Sequence, residues 1–294
     1  MGKALADAFP ICRETFAEAD AVLGEPLSRL CFEGPEDRLT RTENAQPAIL
    51  TVSIAAYRLL ASRGLAPAFV AGHSLGEYSA NVAAGTFTFA DALRIVRHRG
   101  QYMQEAVPVG VGAMAAILGL DPDRVAEVCL DAGQGDVVSP ANINGAGQVV
   151  IAGTKDAVAR AGERAKALGA RGVIPLAVSA PFHCALMKPA EVRLAPELRA
   201  LDAHDPRVPI VANVDAELKR DRLSAIDALV AQVSSPVRWE AIVRRLASEG
   251  VTTYVEVGPG KVLSGLVRKI HREATIRSVG GPGDLAAVEA LMQV

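Results

Sequence analysis

The pentapeptide Gly72-His73-Ser74-Leu75-Gly76 restricts this chain more than any other segment. It has the Gly-x-Ser-x-Gly form of a nucleophile elbow, a sharp strand-to-helix turn that lifts a serine hydroxyl clear of a sheet. The flanks agree with that form. The apolar run Ala68-Phe69-Val70-Ala71 reads as a short buried strand. Glu77 to Ala84 carries neither Gly nor Pro and stops at Gly85, a C-terminal cap. Gly72 and Gly76 remove the side chains that would collide inside so tight a turn. The competing reading is an ordinary βα turn with Ser74 as a helix N-cap.

The rest of the chain is consistent with a large α/β protein. Half of its 294 residues are hydrophobic and 22% are charged, enough apolar surface for a full core. A net charge of -2 supplies no global attraction to nucleic acid or to an anionic membrane, so neither is expected as a partner. No run of about 18 apolar residues predicts a membrane span. Four scattered cysteines, Cys12, Cys31, Cys129 and Cys184, lack metal-ligand spacing, so no metal site is expected. Reduced thiols fit a cytoplasmic location.

Residues 1–67 read mainly as helices, with Phe9 to Leu23 and Gln46 to Arg63 the clearest and Pro47 near the first turn of the latter. A helix from Thr88, with Asp91 as a capping partner, runs to about Glu105. The middle of the chain then changes character. Strands at Ala113–Leu118, Val137–Asn142, Gln148–Ala152 and Gly172–Val178 alternate with two helices in the order β-α-β-β-α-β. Residues 112–178 therefore read as a ferredoxin-like subdomain inserted into a discontinuous large domain, 1–111 and 179–294. Strand-helix alternation around the insert predicts a hydrolase-like, mostly parallel sheet with helices on both faces.

A serine nucleophile needs a base, and the chain has five histidines. His73 lies inside the elbow, His98 between two arginines, His204 in a polar loop and His271 near a helix end. His183 follows a strand in the apolar segment Ser179-Ala180-Pro181-Phe182-His183-Cys184, and loops leaving strands are where open α/β sheets place their site residues. A partly buried histidine with only a structural role is the alternative. Arg99 is the second candidate. Helical spacing puts it on the apolar face of its helix, with Ile95, Val96, Tyr102 and Met103, where an unpaired guanidinium is costly. It needs an anion there: a structural carboxylate, or a substrate carboxylate held by the bidentate fork that Arg offers.

Six segments together resemble one family. They are Gln46-Pro47-Ala48, Gly72 through Tyr78, Arg99-Gly100 with Met103-Gln104-Glu105-Ala106, Asn142-Ile143-Asn144 with Gly147 through Gly153, His183 through Met187, and Glu256 through Lys261. Their order and spacing resemble the malonyl-CoA:acyl carrier protein transacylases of fatty acid synthesis and the acyltransferase domains of polyketide synthases. The resemblance implies ping-pong acyl transfer from malonyl-CoA to the phosphopantetheine thiol of a holo acyl carrier protein, by a monomer without a cofactor of its own. It implies Ser74 as nucleophile and His183 as base in a Ser-His dyad, with the backbone carbonyl of Gln232 orienting the histidine. Arg99 would bind the malonyl carboxylate and the Leu75 backbone N–H would donate to the oxyanion. Gln46, His73, Asn142, Asn144, Gln148 and Phe182 would lie near the substrate channel, though Asn142 and Asn144 also suit a hairpin turn. A phenyl ring at Phe182 would favour malonyl over methylmalonyl.

The chain departs from that pattern at its start. The family begins with a strand and Pro-Gly-Gln-Gly-Ser-Gln, whose Gln N–H is a second oxyanion donor, whereas this sequence opens at Met1-Gly2-Lys3. A start internal to a longer natural protein is the expectation, because the other site residues are intact; a truncation and a weakened relative are the alternatives. Competing functions are an acyl hydrolase that clears carrier-bound thioesters, a malonyl acyltransferase serving a polyketide synthase in trans, and a non-catalytic carrier-binding module. Lys188, Arg193, Arg268 and Lys269 are the basic residues available to an acidic carrier.

Overall fold

The computed structural model describes residues 1–293. Five helices precede the first strand: α1 (Lys3–Ala8), α2 (Pro10–Leu23), α3 (Leu27–Glu33), α4 (Glu36–Leu39) and α5 (Thr42–Ser62). The two-residue β1 (Val70–Ala71) leads through the elbow into α6 (Leu75–Ala84), and α7 (Phe89–Glu105) follows. The middle of the chain is β2 (Gly112–Leu118), α8 (Pro122–Gly133), β3 (Val138–Gly145), β4 (Gln148–Thr154), α9 (Lys155–Ala167) and β5 (Gly172–Pro175). It continues as α10 (Lys188–Arg199), β6 (Ile210–Val211), β7 (Leu218–Lys219), α11 (Arg222–Gln232) and α12 (Trp239–Ser248). The C-terminal part holds β8 (Thr253–Val257), α13 (Val262–Ile270), β9 (Thr275–Val279) and α14 (Leu285–Glu289).

Helix ends follow local chemistry. The Thr88 hydroxyl accepts from the Asp91 N–H at 3.1 Å and donates to its carboxylate at 2.6 Å, capping α7. Gly85 closes α6 in the left-handed conformation, φ 78°. Helix α5 starts at Thr42, one turn earlier than the sequence pattern suggests, so Pro47 falls inside it. Its first turn is held instead by the N–H groups of Asn44 and Ala45 on the Arg41 carbonyl.

The expected single, mostly parallel sheet is divided. β1 pairs parallel with β6, which pairs antiparallel with β7. β8 pairs parallel with β9 in a separate two-stranded sheet. Among the described residues nothing pairs with the remaining edges of β1 and β8, which face each other across a cleft of about 860 Å³. Residues 66–73 and 253–258 line it, together with Leu75, Gly76, Tyr57 and Trp239.

The four-stranded sheet has the order β3-β4-β2-β5 and is antiparallel throughout. Its two faces are used differently, as the period of two dictates. Ala115, Ile117, Val149 and Ile151 pack on Val125, Val128 and Cys129 of α8 and Ala161 of α9. Met114, Ala116, Val150 and Ala152 point the other way, onto Ala141 and Cys184, with Phe182 and Leu186 against them. That second face seats the segment that carries His183. Backbone hydrogen bonds between Val237 and the Ala141–Ile143 stretch of β3 tie the same sheet to the start of α12.

Close helix packing explains Gly100. A Cβ there would lie 2.6 Å from Glu43 Cα and 2.8 Å from the Thr42 carbonyl oxygen, where α5 crosses α7. In an exposed helix Gly→Ala stabilises by about 1 kcal/mol. Here Gly100→Ala is expected to reverse that sign and destabilise by about 1–3 kcal/mol, because two backbones must separate. Urea denaturation of the variant checks this; an unchanged or raised midpoint would contradict it.

Candidate active site

The elbow has the strained geometry its sequence demands. Ser74 sits at φ 52° and ψ -108°, a conformation costing about 1–3 kcal/mol for a non-glycine residue. A Cβ on Gly72 would meet the Gly76 carbonyl carbon and oxygen at 2.0 Å, so the turn closes only around glycine. Contacts from distant elements hold the strain. The Asn213 side chain accepts from the Ser74 N–H at 2.7 Å and donates to the Gly72 carbonyl at 2.7 Å. The Gln232 amide donates to the Ser74 carbonyl at 2.9 Å.

Ser74 and His183 meet in hydrogen-bonding geometry. Ser74 Oγ lies 2.7 Å from His183 Nε2, and His183 Nδ1 lies 3.0 Å from the Gln232 main-chain oxygen. A carbonyl only accepts, so Nδ1 carries the proton and Nε2 presents its lone pair to the serine hydroxyl. His183 is 3% exposed and also has positive φ, 59°. Burial, reinforced by the positive charge of Arg99, pushes its pKa down to about 3. The imidazole is therefore neutral and able to take a proton near neutral pH.

Arg99, 1% exposed, reaches the same point. Its Nη1 donates to Gln46 Oε1 at 2.6 Å, and its Nη2 donates to Gln232 Oε1 at 2.8 Å and to Ser74 Oγ at 3.2 Å. All three acceptors are neutral. Among the described residues no carboxylate forms a direct ion pair with Arg99; Glu77 acts on it from farther off, across the Gln232 amide. The Tyr78 ring lies 5.3 Å from the guanidinium carbon.

The structure thus brings Ser74, His183, Arg99, Gln46 and Gln232 into one network. His73 and Asn144 form a neighbouring pair, Nε2 to Oδ1 at 3.0 Å, with the Trp239 ring 5.7 Å from the His73 ring. Asn142 is buried in β3 at the bridge to Val237. Gln148 pairs with Gly145 at the hairpin end, outside the network. Phe182 is half-buried and packs on both the main core and the small sheet. The Leu75 N–H, at the first turn of α6, has no acceptor among the described residues. Of the four basic residues singled out, Lys188 pairs with Glu191 and Arg193 with Glu105.

Three participants were not picked out by the sequence pattern: Asn213, Glu77 and the Gln232 side chain. Asn213 leaves β6, the parallel neighbour of β1, so the strand-end argument that selected His183 applies to it as well. Glu77 resembles an ordinary first-turn acid on a helix. Its burial, 1% exposed, has no local signature. The Glu77 Oε2 accepts from Gln232 Nε2 at 2.7 Å and from the Asn213 N–H at 3.1 Å.

Burial pushes the Glu77 carboxyl up to about 7, partly opposed by hydrogen bonds from Gln232 and Asn213. A folded-state value above the unfolded carboxylate's means that the native state binds this proton more tightly. The stabilisation is complete below about pH 4 and is lost as pH rises through about 7. His183 acts in the opposite direction, losing stability as pH falls from about 6.5 toward 3. Glu77→Gln removes only the first contribution. The stability of this variant relative to the parent is therefore expected to rise between about pH 5 and pH 8. Urea titrations at both values test the sign, and a constant difference would refute it.

A family model described as acyl transferase domain matches residues 1–290. The chain is 51% identical over 284 residues to the malonyl CoA-acyl carrier protein transacylase of Escherichia coli (strain K12), covering 96% of this chain and 92% of that one. Against the protein of the same name from Bacillus subtilis (strain 168) it is 49% identical over 283 residues, 96% and 89% of the two chains. The crystal structure of an acyl carrier protein S-malonyltransferase from Vibrio cholerae superposes with a TM-score of 0.96 at 48% identity, covering 98% and 94%. A malonyl-transacylase solved in complex with its type II polyketide synthase acyl carrier protein gives 0.96 at 46% identity, with the same coverages. With these matches spanning nearly its whole length, the chain belongs to the acyl transferase domain family.

Proposed function

We propose that this protein moves a malonyl group from malonyl-CoA to the phosphopantetheine thiol of an acyl carrier protein, through a malonyl ester on Ser74. One observation carries the reading: a buried guanidinium, bonded only to neutral oxygens, lies 3.2 Å from the nucleophile. Neutral acceptors take up Nη1 and Nη2, Nε has no partner among the described residues, and none of the acceptors offsets the charge. A malonyl thioester carries a free carboxylate two bonds from the carbonyl that Ser74 attacks; an acetyl thioester carries none. Arg99 would hold that carboxylate with its fork.

In the first half-reaction Ser74 Oγ bonds to the thioester carbon as His183 Nε2 takes the hydroxyl proton. The oxyanion forms toward the Leu75 N–H at the positive end of α6. Collapse breaks the carbon–sulfur bond, and the CoA thiolate leaves with the proton from His183. The carrier thiol then gives its proton to Nε2 and attacks the Ser74 ester; collapse expels the serine oxygen, which recovers the proton. The Gln232 carbonyl keeps His183 in the required tautomer throughout, so a dyad suffices. All these groups come from one chain, so the chemistry asks for no second copy. In this reading residues 1–111 and 179–294 carry the chemistry, and 112–178 brace the Phe182–His183 segment from a core of their own. Arg268 and Lys269, in the last turn of α13, are the basic residues left for an acidic carrier. Four buried free thiols accord with a reducing, cytoplasmic compartment; among the described residues no helix is long and apolar enough to cross a membrane.

Radiolabelled malonyl-CoA, with and without holo carrier protein, tests the proposal. Label is expected on Ser74 and then on the carrier, and Ser74→Ala is expected to take up none. Free malonate as the main product would instead make the enzyme a hydrolase. Arg99→Ala is expected to lower kcat/KM for malonyl-CoA by about 10²-fold while leaving acetyl-CoA much less affected. Phe182 leads a second comparison. Malonyl-CoA is expected to be preferred over methylmalonyl-CoA by about tenfold or more in kcat/KM, the scale of one methyl in a pocket. Equal use of the two would overturn that preference.

A further inference from the structure

Glu77 is a buried carboxylate beside the elbow that none of these steps uses. Its partner, the Gln232 amide, is unusually committed. Gln232 Nε2 donates to Glu77 Oε2 at 2.7 Å and to the Ser74 carbonyl at 2.9 Å, while Oε1 accepts from Arg99 Nη2 at 2.8 Å. The amide has only one orientation that fits. Turned by half a rotation, its NH2 would face the guanidinium, donor against donor, and its oxygen would face two acceptors. The Ser74 carbonyl is a weak enforcer of that choice, because it already accepts from the Glu77 N–H. The stronger acceptor is the Glu77 carboxyl oxygen.

We propose that Glu77 is a positioning residue that fixes the orientation of the Gln232 amide, and through it the aim of the Arg99 fork at the substrate carboxylate. This rests on the reading that Arg99 receives the malonyl carboxylate. With the amide locked, Gln232 Oε1 draws Nη2 to one side and Gln46 Oε1 draws Nη1 to the other, so the fork is splayed between two fixed oxygens. Without the lock, only Arg99 itself and the shared Ser74 carbonyl hold the amide, and the oxygen that Nη2 follows is less firmly placed. The same Glu77 oxygen also holds the Asn213 N–H, whose side chain grips the elbow. Damage through that second route lowers turnover of every acyl-CoA alike. Damage through Gln232 falls on carboxylate-bearing substrates.

Two variants separate these effects. Glu77→Met keeps length and apolar volume but offers no strong acceptor. Glu77→Gln keeps a carbonyl oxygen able to accept both bonds. Two readouts are needed: hydrogen exchange of the Gln232 side-chain NH2 in 15N-labelled protein, and the ratio of kcat/KM for malonyl-CoA to that for acetyl-CoA. In Glu77→Met, exchange is expected to accelerate and the ratio to fall, each by about tenfold, the scale of one hydrogen bond to a charged group. Glu77→Gln is expected to restore most of both. Unchanged exchange in Glu77→Met overturns the proposal, and so does an equal fall for both substrates. Faster exchange with an unchanged ratio would uphold the link from Glu77 to Gln232 and refute the role given to Arg99. Should Glu77→Met not fold, Glu77→Asp, one methylene short of Gln232, is expected to shift both readouts in the same direction by less; no shift in either overturns the proposal.

Discussion

A cation sealed from water beside a serine, with no carboxylate on it, sets the terms for everything around Ser74. Burying an unpaired guanidinium is costly, and the protein meets the cost only in part. Gln46, Gln232 and Ser74 meet Nη1 and Nη2 with neutral oxygens, Nε has no partner among the described residues, and the Tyr78 ring lies 5.3 Å from the guanidinium carbon. No carboxylate touches the guanidinium, and Glu77 acts on it only from across the Gln232 amide, so the charge is offset only in part. The same charge acts on His183. Together with burial it holds the imidazole neutral and leaves Nε2 free to accept the serine proton. Arg99 thus adds to the readiness of the base, second to burial, from the same position in which it is proposed to receive the substrate carboxylate.

The elbow is held by side chains as well as by its sheet. Asn213 and Gln232 grip the turn on its N–H and carbonyl sides, and Glu77 joins the two. Gln232 has the widest reach. Its main chain sets the tautomer of His183 and its side chain touches Ser74, Glu77 and Arg99.

How much of this the sequence disclosed depends on how local each cause is. The elbow, the capped α7 and the apolar-face position of Arg99 are written in residues a few places apart, and period and turn chemistry recover them. The order β-α-β-β-α-β along 112–178 is legible for the same reason. The backbone role of Gln232 came from resemblance, because a main-chain carbonyl has no residue type to betray it. Asn213 carried only the weak signal of a strand end, and the Gln232 side chain and the burial of Glu77 had no local sign at all. Their partners lie more than a hundred residues away, and an acid in a first helical turn normally faces water. Pro47 misled in the opposite direction: a first-turn signal was overridden by the docking of α5 on α7 at Gly100.

The small antiparallel sheet shows how a second core constrains the first. One face is spent on α8 and α9, which gives the unit a core of its own. The other face packs Met114, Ala116, Val150 and Ala152 against Cys184, Phe182 and Leu186, on both sides of the base. His183, at positive φ, thus sits in a segment clamped by apolar contacts at its neighbours and by the Gln232 carbonyl at its ring. In the proposed reaction this histidine serves a CoA thiolate and then a carrier thiol, and the clamp keeps it from swinging between them. Fixing it from two cores leaves the incoming thiols, rather than the base, as the parts that move.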